Sequence, residues 1–188
     1  MQSRLNRVRI KLSLPLILFM SASKIQLLEA NSFALIVPAQ DILREYAQSL
    51  NIDLCFQNFE EEIRTLPGEY ASPEGLLLLA QINGSIAGCG AMRALPTADY
   101  PNACEMKRLY VRPEFRGIGV GQALVGALMD AARMTGYSSM VLDTLNDMEA
   151  ARHLYASFGF EEIPPYYFNP IAGAHYLKAQ LNELVYSG

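Results

Sequence analysis

The chain has 188 residues, 51% apolar and 18% charged, a folded globular composition that excludes a disordered or fibrous chain and is long enough to bury a core without staples. The net charge of -4 argues against a general nucleic-acid binder, which needs excess Lys and Arg to neutralise phosphates. The cysteines Cys55, Cys89 and Cys104 fall at long spacings with no CxxC or Cys/His pattern, so no metal site is expected and a reducing compartment is suited.

Residues 1–23 differ from the rest. Arg4, Arg7, Arg9 and Lys11, with no acid among them, precede an apolar run from Leu12 to Met20 and then Ser21-Ala22-Ser23. Such a segment fits a secretory signal, an Arg-rich transit peptide, or residues upstream of a true start at Met20. It is too short for a standard membrane-spanning helix. The folded domain is therefore placed at residues 24–188.

Lys24 to Glu29 reads as a first strand, and Phe33 to Val37 is a second apolar run that competes with it. Asp41 to Leu50 places Ile42, Leu43, Tyr46, Ala47 and Leu50 on one helical face. Phe56 to Leu66 keeps the helical period until Pro67-Gly68 stops it. Leu76 to Ile82, the Asn83-Gly84 turn, Ile86 to Ala94 and Ala103 to Val111 make an antiparallel meander. Gly88 and Gly90 in its middle strand point to close backbone approach. Ile118 to Met134 is an amphipathic helix closed by Gly136. Ser139 to Asp143 is a strand, Met148 to Phe158 a helix followed by Gly159, and Phe160 to Ile163 and Ala174 to Leu181 are late strands. The order βααβββαβαββ predicts one mixed α/β domain, mostly antiparallel, with six to seven strands and about four helices.

The segment Glu105 to Met129 carries the chemistry. A strand runs into a Pro-containing turn, then Gly117, Gly119 and Gly121 alternate, then a helix begins. A helix N-terminus presents unpaired N–H groups and partial positive charge, and glycines let a bulky anion reach the backbone. Arg116 adds a full charge at the rim. No Lys-Ser/Thr follows, so this is not a Walker A loop, and Gln122 and Leu124 break the dinucleotide spacing.

Arg116-Gly117-Ile118-Gly119-Val120-Gly121 resembles the [Q/R]xxGx[G/A] signature of the GNAT superfamily of N-acetyltransferases, and ARHLYASFGF resembles its AxxxYxxxGF helix. The resemblance implies that acetyl-CoA is the co-substrate, its pyrophosphate wrapped by Arg116 to Gly121 and its pantetheine arm set along Leu109, Tyr110 and Val111. It implies Tyr155 as the acid for the leaving thiolate and Glu105 as the base for the amine, either directly or through water. Where many members place a pantetheine-binding Asn this chain has Met148, and Asn146 is the nearby substitute. Strand alternation would put Glu105, Lys107, Leu109 and Val111 on one face.

Arg93, Tyr166 and Tyr167 are candidate acceptor-binding residues, Arg93 as a carboxylate partner. The expected acceptor is a primary amine of a small, amino-acid-like molecule; a protein N-terminus or lysine, or a domain that binds acyl-CoA without catalysis, are the competing readings. No nucleic-acid, membrane or metal partner is expected, a cytoplasmic location is, and the resemblance allows a homodimer.

Overall fold

A computed structural model describes residues 24–50, 58–97 and 99–181. The N-terminal segment 1–23 and Cys55 lie outside the described residues. The elements run β1 (Gln26–Glu29), α1 (Phe33–Leu50), α2 (Phe59–Thr65), β2 (Leu76–Ile82), β3 (Ser85–Leu95), β4 (Ala103–Val111), α3 (Val120–Thr135), β5 (Ser139–Leu145), α4 (Glu149–Ser157), β6 (Glu161–Ile163) and β7 (Ala174–Gln180). They form a 7-stranded sheet in the order β1-β2-β3-β4-β5-β7-β6. All neighbours are antiparallel except β4 and β5. Among the described residues no helix is long and apolar enough to cross a membrane.

The sheet separates two cores because β2 alternates between them. Leu78 and Ala80 face α3, with Leu124, Leu128 and Met140, while Leu77 and Leu79 face α1, with Ile42, Leu43 and Ile63. α3 buries Val120, Leu124, Val125, Leu128, Met129 and Ala132, a stripe at helical spacing. It lies close on β3 because the strand carries glycine there. A Cβ at Gly90 would stand 3.1 Å from Leu128 Cδ1, and one at Gly88 2.6 Å from the Tyr110 carbonyl oxygen.

The Phe33 to Val37 run is helical rather than extended. Ser32 opens α1 by accepting the Leu35 and Ile36 N–H groups at its carbonyl. Pro38 lies inside the helix but early, where its missing donor costs a single backbone bond.

Candidate active site

β4 and β5 pair only over Ala103–Ser139, Cys104–Met140 and Glu105–Val141. Beyond that point the strands part, although β4 continues to Val111 and β5 to Leu145. The gap is a cleft lined by Lys107, Leu109, Asp143, Met148, Tyr155 and Asn169, among others. Main-chain groups on the β5-facing edge of β4 are thus left without a strand partner.

A bulge in β4 sharpens this edge. Cys89 pairs with Tyr110 and Ala91 with Lys107, so Arg108 and Leu109 together oppose Gly90. Arg108 takes a left-handed backbone, φ 57°, and the extra residue reverses the alternation. Leu109 and Val111 therefore pack with Met106 toward α3, whereas Tyr110 joins the α1 side. The single face expected for Glu105, Lys107, Leu109 and Val111 is broken between Lys107 and Leu109.

β4, which lines the cleft at Lys107 and Leu109, leads through Pro113–Phe115 into the glycine loop. Gly117 and Gly119 both have positive φ, 77° and 91°, and Gly119 is the N-cap of α3. A Cβ at Gly117 would meet nothing within 4 Å, and one at Gly119 only Gln122 Oε1 at 3.8 Å. The loop is thus bare backbone at a helix N-terminus, which fits an anionic group such as a pyrophosphate. Arg116 is exposed and donates from Nε to the Val111 carbonyl at 3.0 Å. Ile118 is exposed, whereas Val120 is buried. Gly121 faces α4, where a Cβ would stand 3.1 Å from Leu154.

Tyr155 reaches the cleft from α4 and is 6% exposed. Burial raises its pKa. Met148, at the α4 N-cap, lines the cleft with it. Asn146 is turned toward β7: its side chain bonds His175 Nε2 and its N–H donates to the Gly173 carbonyl at 3.0 Å.

A polar cluster adjoins Lys107, Asp143 and Asn169 of the cleft. Glu105 is 2% exposed. Its Oε2 accepts Arg93 Nε at 2.9 Å and Nη2 at 2.8 Å, and its Oε1 accepts the Tyr166 hydroxyl at 2.9 Å and faces Lys107 Nζ at 3.5 Å. Lys107 Nζ also lies 3.3 Å from Asp143 Oδ1 and 5.7 Å from the centre of the Tyr167 ring. Asn169 Nδ2 joins Asp143 Oδ2, at 3.4 Å, to the Tyr167 hydroxyl, at 3.1 Å. Burial, then the Glu105 charge, raises the Tyr166 pKa; burial, then Asp143, does the same for Tyr167.

The fold therefore brings Glu105, Arg93, Tyr166 and Tyr167 into one cluster and Tyr155 and Leu109 into one cleft, with the glycine loop following on from β4. Asn146 and Tyr110 face away from the cleft. Asp143 and Lys107 join the site without having been singled out: Asp143 closes the strand read from the sequence as Ser139 to Asp143, where a polar residue is unremarkable by itself, and Lys107 reads only as sharing a strand face with Glu105.

The acetyltransferase (GNAT) family profile matches residues 39–160. An uncharacterised N-acetyltransferase of Schizosaccharomyces pombe is 41% identical over 143 residues, covering 76% of this chain and 86% of that one. A GNAT-family acetyltransferase from Staphylococcus aureus Mu50 has the same fold, with TM-score 0.68 at 20% identity over 85% of this chain and 100% of that one. An acetyltransferase from Salmonella typhimurium, solved with its cofactor acetyl-CoA, aligns with TM-score 0.60 at 22% identity, covering 86% of this chain and 96% of that one. With the family profile spanning more than half of the chain and the parted strands and glycine loop in place, this protein belongs to the GNAT family of acetyltransferases and is an acyltransferase.

Proposed function

We propose that the protein is an N-acetyltransferase moving an acetyl group from acetyl-CoA to the primary amine of a small, amino-acid-like acceptor. One observation carries the reading: β4 parts from β5 at a cleft lined by Tyr155, Lys107 and Asp143, and then runs on into a loop of bare backbone at the α3 N-terminus. Acetyl-CoA, the cofactor in the Salmonella structure, supplies when bound an acetyl thioester, which is open to attack by a neutral amine.

Arg116, Gly117, Gly119 and the N–H groups of Ile118, Val120 and Gly121 would hold its pyrophosphate. The free edge of β4 at Leu109 to Val111 would run beside the pantetheine and offer a main-chain N–H to developing negative charge on the carbonyl oxygen. Tyr155, kept protonated by its burial, donates its hydroxyl proton to the leaving thiolate. Asn146, tied to His175 and Gly173, is assigned the support of the β5–α4 turn instead of a cofactor contact.

An amine attacks only after losing its proton. Both Glu105 oxygens already hold donors, and the carboxylate is 2% exposed, so an incoming amine has little access to it. We therefore assign the first proton acceptor to Asp143, which lines the cleft, and give Glu105 the task of fixing Arg93, Lys107 and Tyr166.

The test is thiol release from acetyl-CoA by the purified full chain against a panel of amines and amino acids. Acceptor-dependent release is expected, with kcat lowered by about 10²-fold or more in Tyr155→Phe and little change in KM for acetyl-CoA. Absence of release with every acceptor would sink the reading.

A further inference from the structure

Arg93, the cation that the sequence offers to a substrate carboxylate, is already committed. Glu105 takes its Nε and Nη2, and Glu69 takes Nη1. Arg108, the other guanidinium beside the cleft, is clamped by Glu62 of α2 at 2.8 and 2.5 Å. Among the described residues that line the cleft, one ammonium and one carboxylate remain to meet a substrate: Lys107 and Asp143.

Their contacts with each other, with Glu105 and with Asn169 are long, and the Tyr167 hydroxyl also bonds Asp143. Lys107 Nζ stands 3.3 Å from Asp143 and 3.5 Å from Glu105, and Asn169 stands 3.4 Å from the other Asp143 oxygen. Well-made charge-assisted N–H···O bonds run at about 2.7–2.9 Å, the range of the Arg93–Glu105 pair. The guanidinium pairs are closed, whereas the Lys107–Asp143 pair has room to exchange partners.

Charge balance decides what can exchange with it. A partly buried charge that loses its partner is costly, so an incoming molecule must replace each contact it breaks. A simple amine that pairs with Asp143 draws that carboxylate away from Lys107 and leaves the ammonium with a more distant Glu105 already shared with Arg93 and Tyr166. A molecule carrying both an ammonium and a carboxylate compensates both sides at once: its carboxylate takes Lys107 and its amine takes Asp143.

We propose that the acceptor is a zwitterion, an α-amino acid or a close analogue, recognised through its carboxylate by Lys107 and through its amine by Asp143. Tyr167 and Asn169, which contact this pair, complete the seat. The proposal rests on the acetyl-transfer reading above and names its substrate class.

The experiment compares, for the wild-type full chain with acetyl-CoA, kcat/KM for amino acids against their methyl esters and their decarboxylated amines. The free acid is expected to be preferred by roughly tenfold or more, since a substrate lacking the group a charged site is built to meet forfeits that contact. Lys107→Met should collapse this ratio, chiefly through KM for the amino acid, and Lys107→Arg should keep most of it. Esters and decarboxylated amines turned over as well as the acids would overturn the zwitterion while leaving acetyl transfer standing. A ratio unmoved in Lys107→Met would remove Lys107 from recognition; should that variant fail to fold, the wild-type comparison of acid with ester still decides. Turnover of no amine at all would overturn the acetyl-transfer reading together with this one.

Discussion

Arg108 occupies a left-handed backbone at φ 57°, a conformation that costs a residue with a Cβ about 1–2 kcal/mol. Its side chain explains how the strand holds it there. The guanidinium is buried, donates bidentately to Glu62 and lies 5.2 Å from the centre of the Phe59 ring, so α2 anchors the bulge that aims β4. Burial alone would raise the Glu62 pKa, but hydrogen bonds and charge from Arg108 outweigh it and hold the carboxyl below its usual range. A lowered carboxylate pKa gives stability that is complete above the ordinary glutamate range and is lost as pH falls through the lowered folded value. Glu62→Ala should therefore destabilise the fold by about 3–5 kcal/mol in urea unfolding near neutral pH, because it strips a buried guanidinium of its carboxylate. Glu62→Gln should flatten the acid limb of the stability profile. A loss below about 1 kcal/mol, the range of an exposed pair, would mean that the pair is not a buried clamp.

At the level of elements, the glycine loop can be separated from the helix it opens. Gly119 at φ 91° is the N-cap of α3, and space is open around it, so Gly119→Ala strains only the backbone. Unfolding free energy should fall by about 1–2 kcal/mol, and KM for acetyl-CoA should rise more than kcat falls, since the loop is assigned to the phosphates; equal parameters in variant and wild type would move the phosphate site elsewhere. This loop was legible in the sequence because its chemistry is local: glycine spacing, a preceding turn and a following amphipathic stripe all sit in one stretch of chain. The Asn83-Gly84 hairpin and the close approach at Gly88 and Gly90 were legible for the same reason. The bulge was not, since nothing in Lys107-Arg108-Leu109-Tyr110 marks Arg108 for positive φ; the clamp that keeps it there comes from Glu62, far away in sequence. The parting of β4 from β5 was hidden likewise, because periodicity announces strands and leaves open where they stop pairing. Asp143 stayed unseen until that parting turned it toward Lys107.

Across the whole molecule, the two-sided core sets the response to alkali. Cys89 and Cys104 are fully buried on opposite faces of the sheet, and burial pushes each thiol from an ordinary value of 9.0 up to about 12. Burial pushes Tyr46 from 10.0 up to about 12 as well. These groups are neutral when protonated, so the native state retains their protons at pH values where the unfolded chain has released them. The unfolded state then binds fewer protons, and stability must fall as pH rises from the ordinary thiol value toward the folded one. Each thiol contributes a slope of up to about 1.4 kcal/mol per pH unit, and Tyr46 adds its share above about pH 10. Urea unfolding from about pH 8 to about pH 11 should therefore show a midpoint that is level at first and then declines steeply. In Cys89→Ala/Cys104→Ala the decline should start about one unit later, where the buried tyrosines, Tyr46 among them, alone remain. The thiolate is the reactive form, so these two cysteines should resist thiol reagents in the native protein and react once it unfolds. A midpoint level throughout, or a decline that the double substitution leaves in place, would show that the alkaline response is set by groups other than the thiols that flank the sheet.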